Sequence, residues 1–378
     1  MGKIFLADLF CGTGGFSKGV CNYNDSFELA FAVDVLPSAT QTTKKNHDTA
    51  YVVNSDIRNL KPSDVKNRLT LCGKDRLDLI IGGPPCQGFS SIRPFRSNDD
   101  EDPRNTLFEE FAKYINFFRP KMFVLENVVG ITTHANGSTL AQMQELFLEL
   151  GYDTDWRIIN AANYGIPQKR ERFIMIGASD SAKIAFPEPT HTFNGKTIGS
   201  KRRDKMIVGN DTLALSALSV MDAIDDLPEI ESGKSASYYN SPRTDYQRER
   251  RANMDKLTLH ESTNHSEKML EIIRHSGSSI SSIPSHLITS GFSTCYSRLE
   301  ADEPANTITV NFVHPASNKC IHPKQNRALT PREGARLQGF DDDFVFCGTR
   351  AQIVKQIGNA VPPLIGRAIA SAIYSELK

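Results

Sequence analysis

The chain has 378 residues, of which 39% are hydrophobic and 23% charged, and its 44 basic residues balance its 44 acidic ones. This composition is typical of a globular protein with room for two domains, and the zero net charge provides no global basic field to attract nucleic acid. The seven cysteines stand at irregular spacings without a C-x-x-C pair, which argues against a disulfide framework or a zinc cluster and predicts no metal site. No apolar run is long enough for a signal peptide or a membrane span, so we expect a cytoplasmic protein.

Short apolar runs alternate with helix-length segments over the first half of the chain. The predicted strands span 4–10, 29–33, 51–53, 77–81, 122–126 and 172–176, and apolar residues recur at helical spacing over 105–118 and 139–151. This alternation is typical of a parallel sheet covered by helices on both faces. We therefore predict a doubly wound α/β fold with right-handed crossovers.

A glycine-rich turn follows the first predicted strand, in the run D-L-F-C-G-T-G-G-F-S over 8–17. Glycines at this place let a ligand approach the backbone at the start of a helix. Asp34 ends the second predicted strand, where a carboxylate can bind two ribose hydroxyls. The dinucleotide fingerprint G-x-G-x-x-G is not met, because Ser17 stands at its third glycine. The pattern favours an adenosine-containing ligand over NAD, and a glycine turn without a ligand is the alternative.

A cysteine lies directly after the fourth predicted strand, in the run G-G-P-P-C-Q-G-F-S over 82–90. Two glycines free the backbone and two prolines fix it, so Cys86 is held beyond the carboxyl end of a strand, where open α/β sheets bind ligands. A thiol at such a place is a candidate nucleophile once a neighbour lowers its pKa. The alternative is a buried structural cysteine after a tight turn.

Two further polar motifs lie next to predicted strands. Glu126 begins the run E-N-V after the fifth strand, where burial would raise the pKa of its carboxyl so that it holds a proton. The run Q-K-R-E-R over 168–172 leads into the sixth strand, and strand alternation puts Gln168, Arg170 and Arg172 on one face. A surface carboxylate and a solvated edge strand are the respective alternatives.

The alternation of strands and helices stops near residue 178, and the chain from 186 to 327 is polar, with scattered Pro, Gly and Ser. We expect its basic clusters, at 196–205 and 243–256, to contact phosphates if the partner is a nucleic acid. A helix is predicted to begin at Pro331 with Thr330 as its N-cap, and the last segment, 362–377, is helical in period. We predict a second domain inserted between the sixth strand and the C-terminal helix.

Six motifs stand in order along the chain: D-L-F-C-G-T-G-G-F at 8–16, G-G-P-P-C-Q-G-F-S at 82–90, E-N-V at 126–128, Q-K-R-E-R-F at 168–173, R-A-L-T-P-R-E-G-A-R-L-Q-G-F at 327–340 and Q-I-G-N-A-V-P-P at 356–363. Together they resemble the C5-cytosine DNA methyltransferase family of bacterial or phage type. The resemblance implies a doubly wound S-adenosylmethionine-dependent methyltransferase fold with a smaller inserted domain. The implied domains are a catalytic and cofactor-binding domain at 1–185, a target-recognition domain at 186–326, a hinge at 327–354 and a C-terminal helix at 355–378 that rejoins the first domain.

The resemblance also implies the chemistry. Cys86 would add to carbon 6 of a cytosine, so that carbon 5 can take a methyl group, and loss of the proton from carbon 5 would expel the thiol. A protonated Glu126 would meet ring nitrogen 3, and Arg172 with Arg170 would lie near the base carbonyl and the thiolate. A base inside a duplex is out of reach, so it would be flipped out, and the loop at 91–104 would close over it.

The implied methyl donor and cofactor is S-adenosylmethionine. It would pack on Phe10 and on the turn formed by Gly12, Thr13, Gly14 and Gly15. Asp34 would hold its ribose and Asp56 its adenine amino group. The remaining implied contacts are Val35 and Ile57 on the two faces of the adenine, with Pro85, Leu107, Asn359 and Val361 completing the pocket.

The implied partner is double-stranded DNA, read by the segment 186–326. We expect a monomer that does not bind membranes, with a companion restriction endonuclease that acts on the same DNA site without direct contact. A tRNA cytosine-5 methyltransferase is the nearest alternative, although the residues after Pro-Pro-Cys in that group differ from Gln87-Gly88-Phe89-Ser90. A catalytically inactive DNA-binding relative is the other alternative.

Overall fold

A computed structural model describes residues 2–84, 107–193, 195, 205–209, 215–252, 254–288 and 291–378. The chain divides into two compact units. Unit 1 comprises Met1–Tyr164, Glu171–Leu213 and Pro363–Lys378, and unit 2 comprises Gly165–Arg170 and Ala214–Pro362. Within the described ranges, no helix is long and apolar enough to cross a bilayer. The four domain ranges implied by the sequence stay predictions.

Ten strands are present in the described residues. They are β1 (Ile4–Leu9), β2 (Phe27–Asp34), β3 (Tyr51–Asn54), β4 (Leu79–Gly82), β5 (Met122–Asn127), β6 (Tyr152–Asn160), β7 (Gln168–Lys169), β8 (Glu171–Ser179), β9 (Met206–Ile207) and β10 (Ala305–Asn306). Eight of them form the sheet of unit 1, in the order β3-β2-β1-β4-β5-β8-β6-β9. The first five are mutually parallel, whereas β8 is antiparallel to both of its neighbours. The short strands β7 and β10 pair in unit 2.

Eleven α-helices are described. They are α1 (Gly15–Cys21), α2 (Pro37–Asn46), α3 (Pro62–Leu71), α4 (Leu107–Phe118), α5 (Ser138–Glu149), α6 (Val220–Ile224), α7 (Asp245–Arg251), α8 (Glu267–Arg274), α9 (Pro331–Leu337), α10 (Arg350–Asn359) and α11 (Pro363–Leu377). Helices α6 to α10 belong to unit 2, and the others belong to unit 1.

The sheet of unit 1 is covered on both faces. Ala7 and Leu9 of β1 join one apolar core with side chains from α3, α4 and α5. Strand alternation turns Asp8 to the other face, where it meets Ser17 of α1. Helices α1 and α11 pack closely, because a Cβ at Gly19 would lie 1.8 Å from the carbonyl oxygen of Pro363. The predicted doubly wound α/β fold is confirmed.

The structure confirms the six predicted strands, now β1 to β5 and β8, but corrects the wholly parallel sheet. Strand β6 was missed because Asp153, Asp155 and Arg157 interrupt its apolar pattern. Strand β8 is antiparallel to β6 because the connection between them is short. Asn160 at the end of β6 pairs with Glu171 at the start of β8, and the intervening chain of about ten residues is too short for a parallel crossover.

Unit 2 has little regular structure, as its polar sequence predicts. The predicted start of α9 is confirmed: Thr330 is the N-cap, and its hydroxyl accepts a hydrogen bond from the Glu333 backbone N–H. Buried ion pairs stabilise the region around this helix. Arg327 Nη2 lies 2.7 Å from Glu333 Oε1, and Arg336 Nε lies 2.6 Å from Asp342 Oδ1, with all four side chains 2% exposed or less.

Candidate functional site

The glycine turn lies at the carboxyl end of β1. Its backbone enters the left-handed region at Phe10 (φ 62°), Gly12 (φ 52°) and Gly14 (φ 73°). A phenylalanine in this region is strained, and such strain is found at binding and catalytic sites. No atom of the described residues would lie within 4 Å of a Cβ built on Gly12. The turn therefore presents its backbone to open space, as a ligand-binding turn requires.

Asp34 connects this turn to the end of β2. Its Oδ2 accepts a hydrogen bond from the Gly12 N–H at 2.9 Å, and its Oδ1 accepts one from the Leu36 N–H at 2.9 Å. Burial raises the pKa of the Asp34 carboxyl above its usual value. The next side chain, Val35, is 62% exposed, although it is apolar. A carboxylate beside an exposed aliphatic surface suits a sugar attached to a flat base.

Asp56 and Ile57 follow β3, and they differ in environment: Asp56 forms an ion pair, whereas Ile57 is buried. The Asp56 carboxylate receives the Arg58 guanidinium, with Nη2 and Oδ2 2.6 Å apart, and these hydrogen bonds lower the pKa of Asp56. Ile57 is only 3% exposed and belongs to the apolar core. Of the two side chains expected to flank an adenine, Val35 is thus the one with substantial exposed surface.

Two buried oxygens near the glycine turn have no hydrogen-bond partner among the described residues: Oδ2 of Asp8 and Oγ1 of Thr13. Burial raises the pKa of Asp8 to about 7. Unpaired buried polar atoms are costly, and a bound polar ligand is one way to satisfy them. Together with the open space at Gly12 and the exposed Val35, they show that the residues of this turn fit a polar, adenosine-containing ligand such as S-adenosylmethionine.

Glu126 and Arg172 form an ion pair on neighbouring strands, β5 and β8. Arg172 Nε lies 2.8 Å from Glu126 Oε1, and the side chains are 16% and 12% exposed. Burial lowers the pKa of Arg172. An ion pair is an interaction of the ionised carboxylate, so a proton on Glu126 stays a prediction for the complex with a base. The structure brings together two of the predicted catalytic side chains.

The same carboxylate lies against the end of β4. A Cβ at Gly83 would be 2.9 Å from Glu126 Oε2, so a side chain at position 83 would displace the carboxylate. The Asn127 side chain donates a hydrogen bond to the Pro84 carbonyl at 3.1 Å. The E-N-V motif thereby contacts the first residues of the G-G-P-P-C motif. Pro85, Cys86 and the loop at 91–104 lie outside the described residues.

Arg170 has a structural role in unit 2. Its guanidinium donates to the carbonyls of Ile308 (3.1 Å), Gly358 (3.3 Å) and Ala360 (3.0 Å). The shared face predicted for Gln168, Arg170 and Arg172 is not formed, because the strand is interrupted at Arg170 and alternation does not continue from β7 to β8. We therefore leave Arg170 out of the catalytic proposal.

The other predicted contacts are distributed over both units. Leu107 begins α4 and is 9% exposed. Asn359 ends α10 and is exposed, and Val361 is partly exposed; both belong to unit 2. As donor contacts, these three residues stay predictions.

The basic clusters are only partly available for phosphates. Residues 196–204 lie outside the described residues, and Lys205 is 3.4 Å from Asp155. Arg250 is 6% exposed and pairs with Asp341 at 2.8 Å. The expectation that the whole 243–256 cluster contacts phosphates is therefore wrong for Arg250, whose buried guanidinium makes contacts within unit 2 instead.

Two residues near the glycine turn carry no sequence signal. Thr43 of α2 and the following His47 contact the carbonyls of Gly12 and Gly14. They lie about thirty residues from the turn and belong to none of the six motifs, so sequence reasoning missed them. A pattern of buried threonines in a short helix does not distinguish packing from support of a ligand site.

Comparisons with known proteins agree with this geometry. Residues 4–375 match the family model of the C-5 cytosine-specific DNA methylases. The chain is 36% identical to the Type II methyltransferase M1.HphI of Haemophilus parahaemolyticus, over 97% of this chain and 85% of that protein. It is 31% identical to the Type II methyltransferase M.AgeI of Thalassovita gelatinovora, over 97% and 98% of the respective chains.

A solved structure shares the fold. It is a putative DNA modification methyltransferase encoded within an E. coli prophage, with a TM-score of 0.76, 24% identity and 99% coverage of both chains. This likeness supports the fold, and the family match and the curated relatives together identify the enzyme class. The chain belongs to the C-5 cytosine-specific DNA methylase family and is a DNA (cytosine-5-)-methyltransferase.

Proposed function

We propose that the protein methylates carbon 5 of a specific cytosine in double-stranded DNA, after flipping the base out of the helix, through a covalent adduct of Cys86. The observation that carries the proposal is the contact of Glu126, paired with Arg172 at 2.8 Å, against Gly83 of the motif that contains the cysteine. Family membership supports the same chemistry.

The acid and the nucleophile act together in this proposal. The Cys86 thiolate forms a bond with carbon 6 of the cytosine, and Glu126 donates a proton to ring nitrogen 3, so that negative charge does not build up on the ring. Carbon 5 then takes the methyl group, and the donor would leave as a thioether whose sulfur keeps the electron pair of the broken sulfur–methyl bond. A base removes the proton from carbon 5, the proton on ring nitrogen 3 returns to Glu126, and the bond between sulfur and carbon 6 breaks, which restores the neutral aromatic ring and frees the Cys86 thiolate.

Arg172 has two tasks in this scheme. It orients Glu126 before the base arrives, since its Nε donates to that carboxylate. When Glu126 carries a proton for the base, Arg172 retains its positive charge near the reacting ring and favours the thiolate form of a nearby cysteine. Burial of the pair strengthens both effects, because water does not screen the charges.

The glycine turn of unit 1 would hold the methyl donor. S-adenosylmethionine supplies an electrophilic methyl group on a sulfonium. Asp34 would bind its ribose hydroxyls and Val35 would cover one face of its adenine. The other residues that we propose for this site are Phe10, Gly12, Thr13, Gly14, Gly15, Asp56 and Ile57, with Pro85, Leu107, Asn359 and Val361 assigned from the family resemblance.

The biological setting is also a proposal. The curated relatives are named Type II methyltransferases, a class that protects DNA from a restriction endonuclease. We propose that the protein acts as a cytoplasmic monomer alongside an endonuclease of the same specificity, with segment 186–326 reading the DNA sequence.

Trapping of the covalent adduct tests the nucleophile. Bisulfite sequencing of DNA from a host that expresses the chain first identifies the methylated site. A duplex with 5-fluorocytosine at that site cannot lose the group on carbon 5, so the wild-type protein with donor should form an adduct that resists denaturation, and Cys86→Ser should form none. Cys72→Ser is the matched control, because Cys72 is an exposed thiol at the end of α3, outside the proposed catalytic and donor sites.

Three results would contradict the proposal. They are an adduct mapped to another cysteine, an adduct in Cys86→Ser, and methylation of tRNA instead of DNA. The last result would favour the tRNA alternative while leaving the covalent chemistry in place.

A further inference from the structure

Thr43, on α2, contacts both glycines of the G-x-G turn. Its hydroxyl donates a hydrogen bond to the Gly12 carbonyl at 3.0 Å, and the side chain is fully buried. On the same side chain, Cγ2 would lie 3.0 Å from a Cβ at Gly14. Among the described residues, the other donor near the Gly12 carbonyl is the weakly donating thiol of Cys11, at 3.8 Å. The Thr43 hydroxyl is thus the strong hydrogen bond to this carbonyl.

His47 contacts the second glycine of the turn, Gly14. Its Nε2 lies 3.5 Å from the Gly14 carbonyl oxygen, so the proton of the neutral ring belongs on Nε2. Burial lowers the pKa of His47 to about 4, so the ring is neutral at pH 7. The Gly14 carbonyl also accepts from the Lys18 N–H at 2.8 Å and from the Ser17 hydroxyl at 3.2 Å. Gly14 therefore has several donors, and Gly12 depends mainly on Thr43.

The Gly12 carbonyl and the Thr13 N–H belong to one planar peptide group, so a hydrogen bond that fixes the carbonyl also fixes the direction of the N–H. In a trans peptide the carbonyl and the following N–H point in opposite directions, so the hydrogen bond from Thr43 turns the Thr13 N–H away from α2. Without that bond a glycine in the left-handed region has many other conformations available. A turn that is already fixed avoids the entropy cost of ordering when a ligand binds.

We propose that Thr43 is a positioning residue of the methyl-donor site: it holds Gly12 and Gly14 in the conformation that binds S-adenosylmethionine. This inference rests on the proposed donor site at the glycine turn. Thr43 acts through the two glycines and does not itself touch the donor.

Calorimetric titration of the full-length protein with S-adenosylmethionine and with S-adenosylhomocysteine tests the inference. Thr43→Val keeps the shape and removes the hydroxyl, so both ligands should bind about tenfold more weakly, which corresponds to ~1.4 kcal/mol. Thr43→Ser retains the hydroxyl and should bind within about threefold of wild type. The donor KM of Thr43→Val should rise by the same factor as its dissociation constant, while kcat at saturating donor changes less than about twofold.

Thr42→Val is the matched control. Thr42 is the preceding residue of α2, is equally buried, and donates its hydroxyl to Ser38 within the helix at 3.0 Å. It should bind the donor as wild type does. The fitted stoichiometry reports the folded fraction of each variant, so a folding defect is separated from a change in affinity.

The outcomes are distinct. Equal affinities of wild type and Thr43→Val would overturn the role of Thr43 and leave the donor site in place, as would equal losses in Thr43→Val and Thr42→Val. A wild-type protein that binds neither ligand would overturn the proposed donor site, and the inference with it.

Discussion

Glu126 is the residue whose environment must change most during the proposed reaction. In the structure its carboxylate pairs with Arg172, whereas contact with ring nitrogen 3 of a cytosine requires the protonated acid. The guanidinium favours the ionised carboxylate, so the bound base has to supply the interaction that stabilises the proton on Glu126. A carboxyl group has two oxygens, so one oxygen can accept a hydrogen bond from Arg172 while the other carries the proton for ring nitrogen 3.

Replacing Glu126 by glutamine removes the proton donor and keeps the size of the side chain. We expect turnover to fall by about a hundred- to ten-thousand-fold, the usual contribution of general acid catalysis. Donor affinity should stay within about twofold of wild type, because Glu126 is not part of the donor site. Single-turnover methylation and donor titration measure the two quantities.

Asp155→Asn provides the control for that experiment. Asp155 pairs with Arg157 at 2.6 Å on β6 of the same sheet, and we assign this ion pair no catalytic role. Turnover of this variant should equal that of wild type. If Glu126→Gln weakened donor binding and left saturated turnover intact, Glu126 would belong to the donor site instead.

At the scale of elements, helix α7 shows that three neighbouring arginines have different roles. Arg250 is buried and donates to the Gly339 carbonyl at 3.3 Å as well as pairing with Asp341. Arg248 pairs with Asp245 on the exposed side of the helix, and the Arg251 guanidinium lies 4.0 Å from the centre of the Tyr239 ring. A run of basic residues on a short helix necessarily faces in more than one direction.

The arginines of α7 should separate into two classes by experiment. Arg250→Ala removes a buried guanidinium that pairs with the partly exposed Asp341, and it should lower the free energy of unfolding by about 2 kcal/mol. Arg248→Ala should leave stability nearly unchanged, since exposed pairs contribute about 0–1 kcal/mol.

The salt dependence of DNA binding tests whether Arg248 and Arg251 contact phosphates. If Arg248 and Arg251 contact phosphates, each alanine substitution should reduce the slope of log affinity against log salt by about one unit, equally for specific and random duplexes. An unchanged slope in the double variant would remove α7 from the DNA interface without affecting the enzyme class.

At the scale of the whole molecule, unit 2 should be the part that is sensitive to acid. Burial lowers the pKa of His322 to about 4, and the Arg327 guanidinium helps to hold the pKa of Glu333 far below its usual range. The pKa of Asp342 is lowered as well, because the hydrogen bonds from Arg336 and the positive charges of Arg332 and Arg336 together outweigh burial. Burial raises the pKa of Asp226, which opposes this trend. Groups with lowered pKa values make folding less favourable as the pH falls.

The pH window follows from His322. His322 takes up a proton near pH 6.5 in the unfolded chain and near pH 4 in the folded one. Its contribution to the free energy of unfolding is therefore unchanged above pH 6.5 and falls by about 3 kcal/mol between pH 6.5 and pH 4. The carboxylates add their loss at lower pH. In unit 1, Asp8 has a pKa raised to about 7 and offsets part of the effect of His47, so we expect a weaker response there.

Hydrogen exchange at pH 7.5 and pH 5 measures this difference. Peptides from α9 should lose protection at pH 5, while peptides from β1 and β4 should change less. His322→Asn should flatten the response of α9, because an amide oxygen can replace Nδ1 as acceptor for the Lys324 and Gln325 N–H groups without taking up a proton. Equal loss of protection in both units, or an unchanged pH response in His322→Asn, would contradict the assignment.

The sequence by itself determined the elements whose signals are local. The apolar runs predicted β1 to β5 and β8, since the strands of a sheet that is covered on both faces are rich in apolar residues. Thr330 and Pro331 predicted the start of α9, because a cap involves residues three apart. The six motifs identified the family, and the sequence also placed Glu126 at the carboxyl end of the fifth strand, where β5 ends at Asn127.

Only the tertiary structure decided which side chains these positions bring together. The three carbonyls that bind Arg170 lie 138, 188 and 190 positions away along the chain, and the sequence pattern around Arg170 is the same with or without them. The direction of β8, the burial of Arg250 and the support of the glycine turn by Thr43 are of the same kind. Each depends on contacts between segments that are distant in sequence, where packing and hydrogen bonding select one arrangement among several that local propensity allows equally.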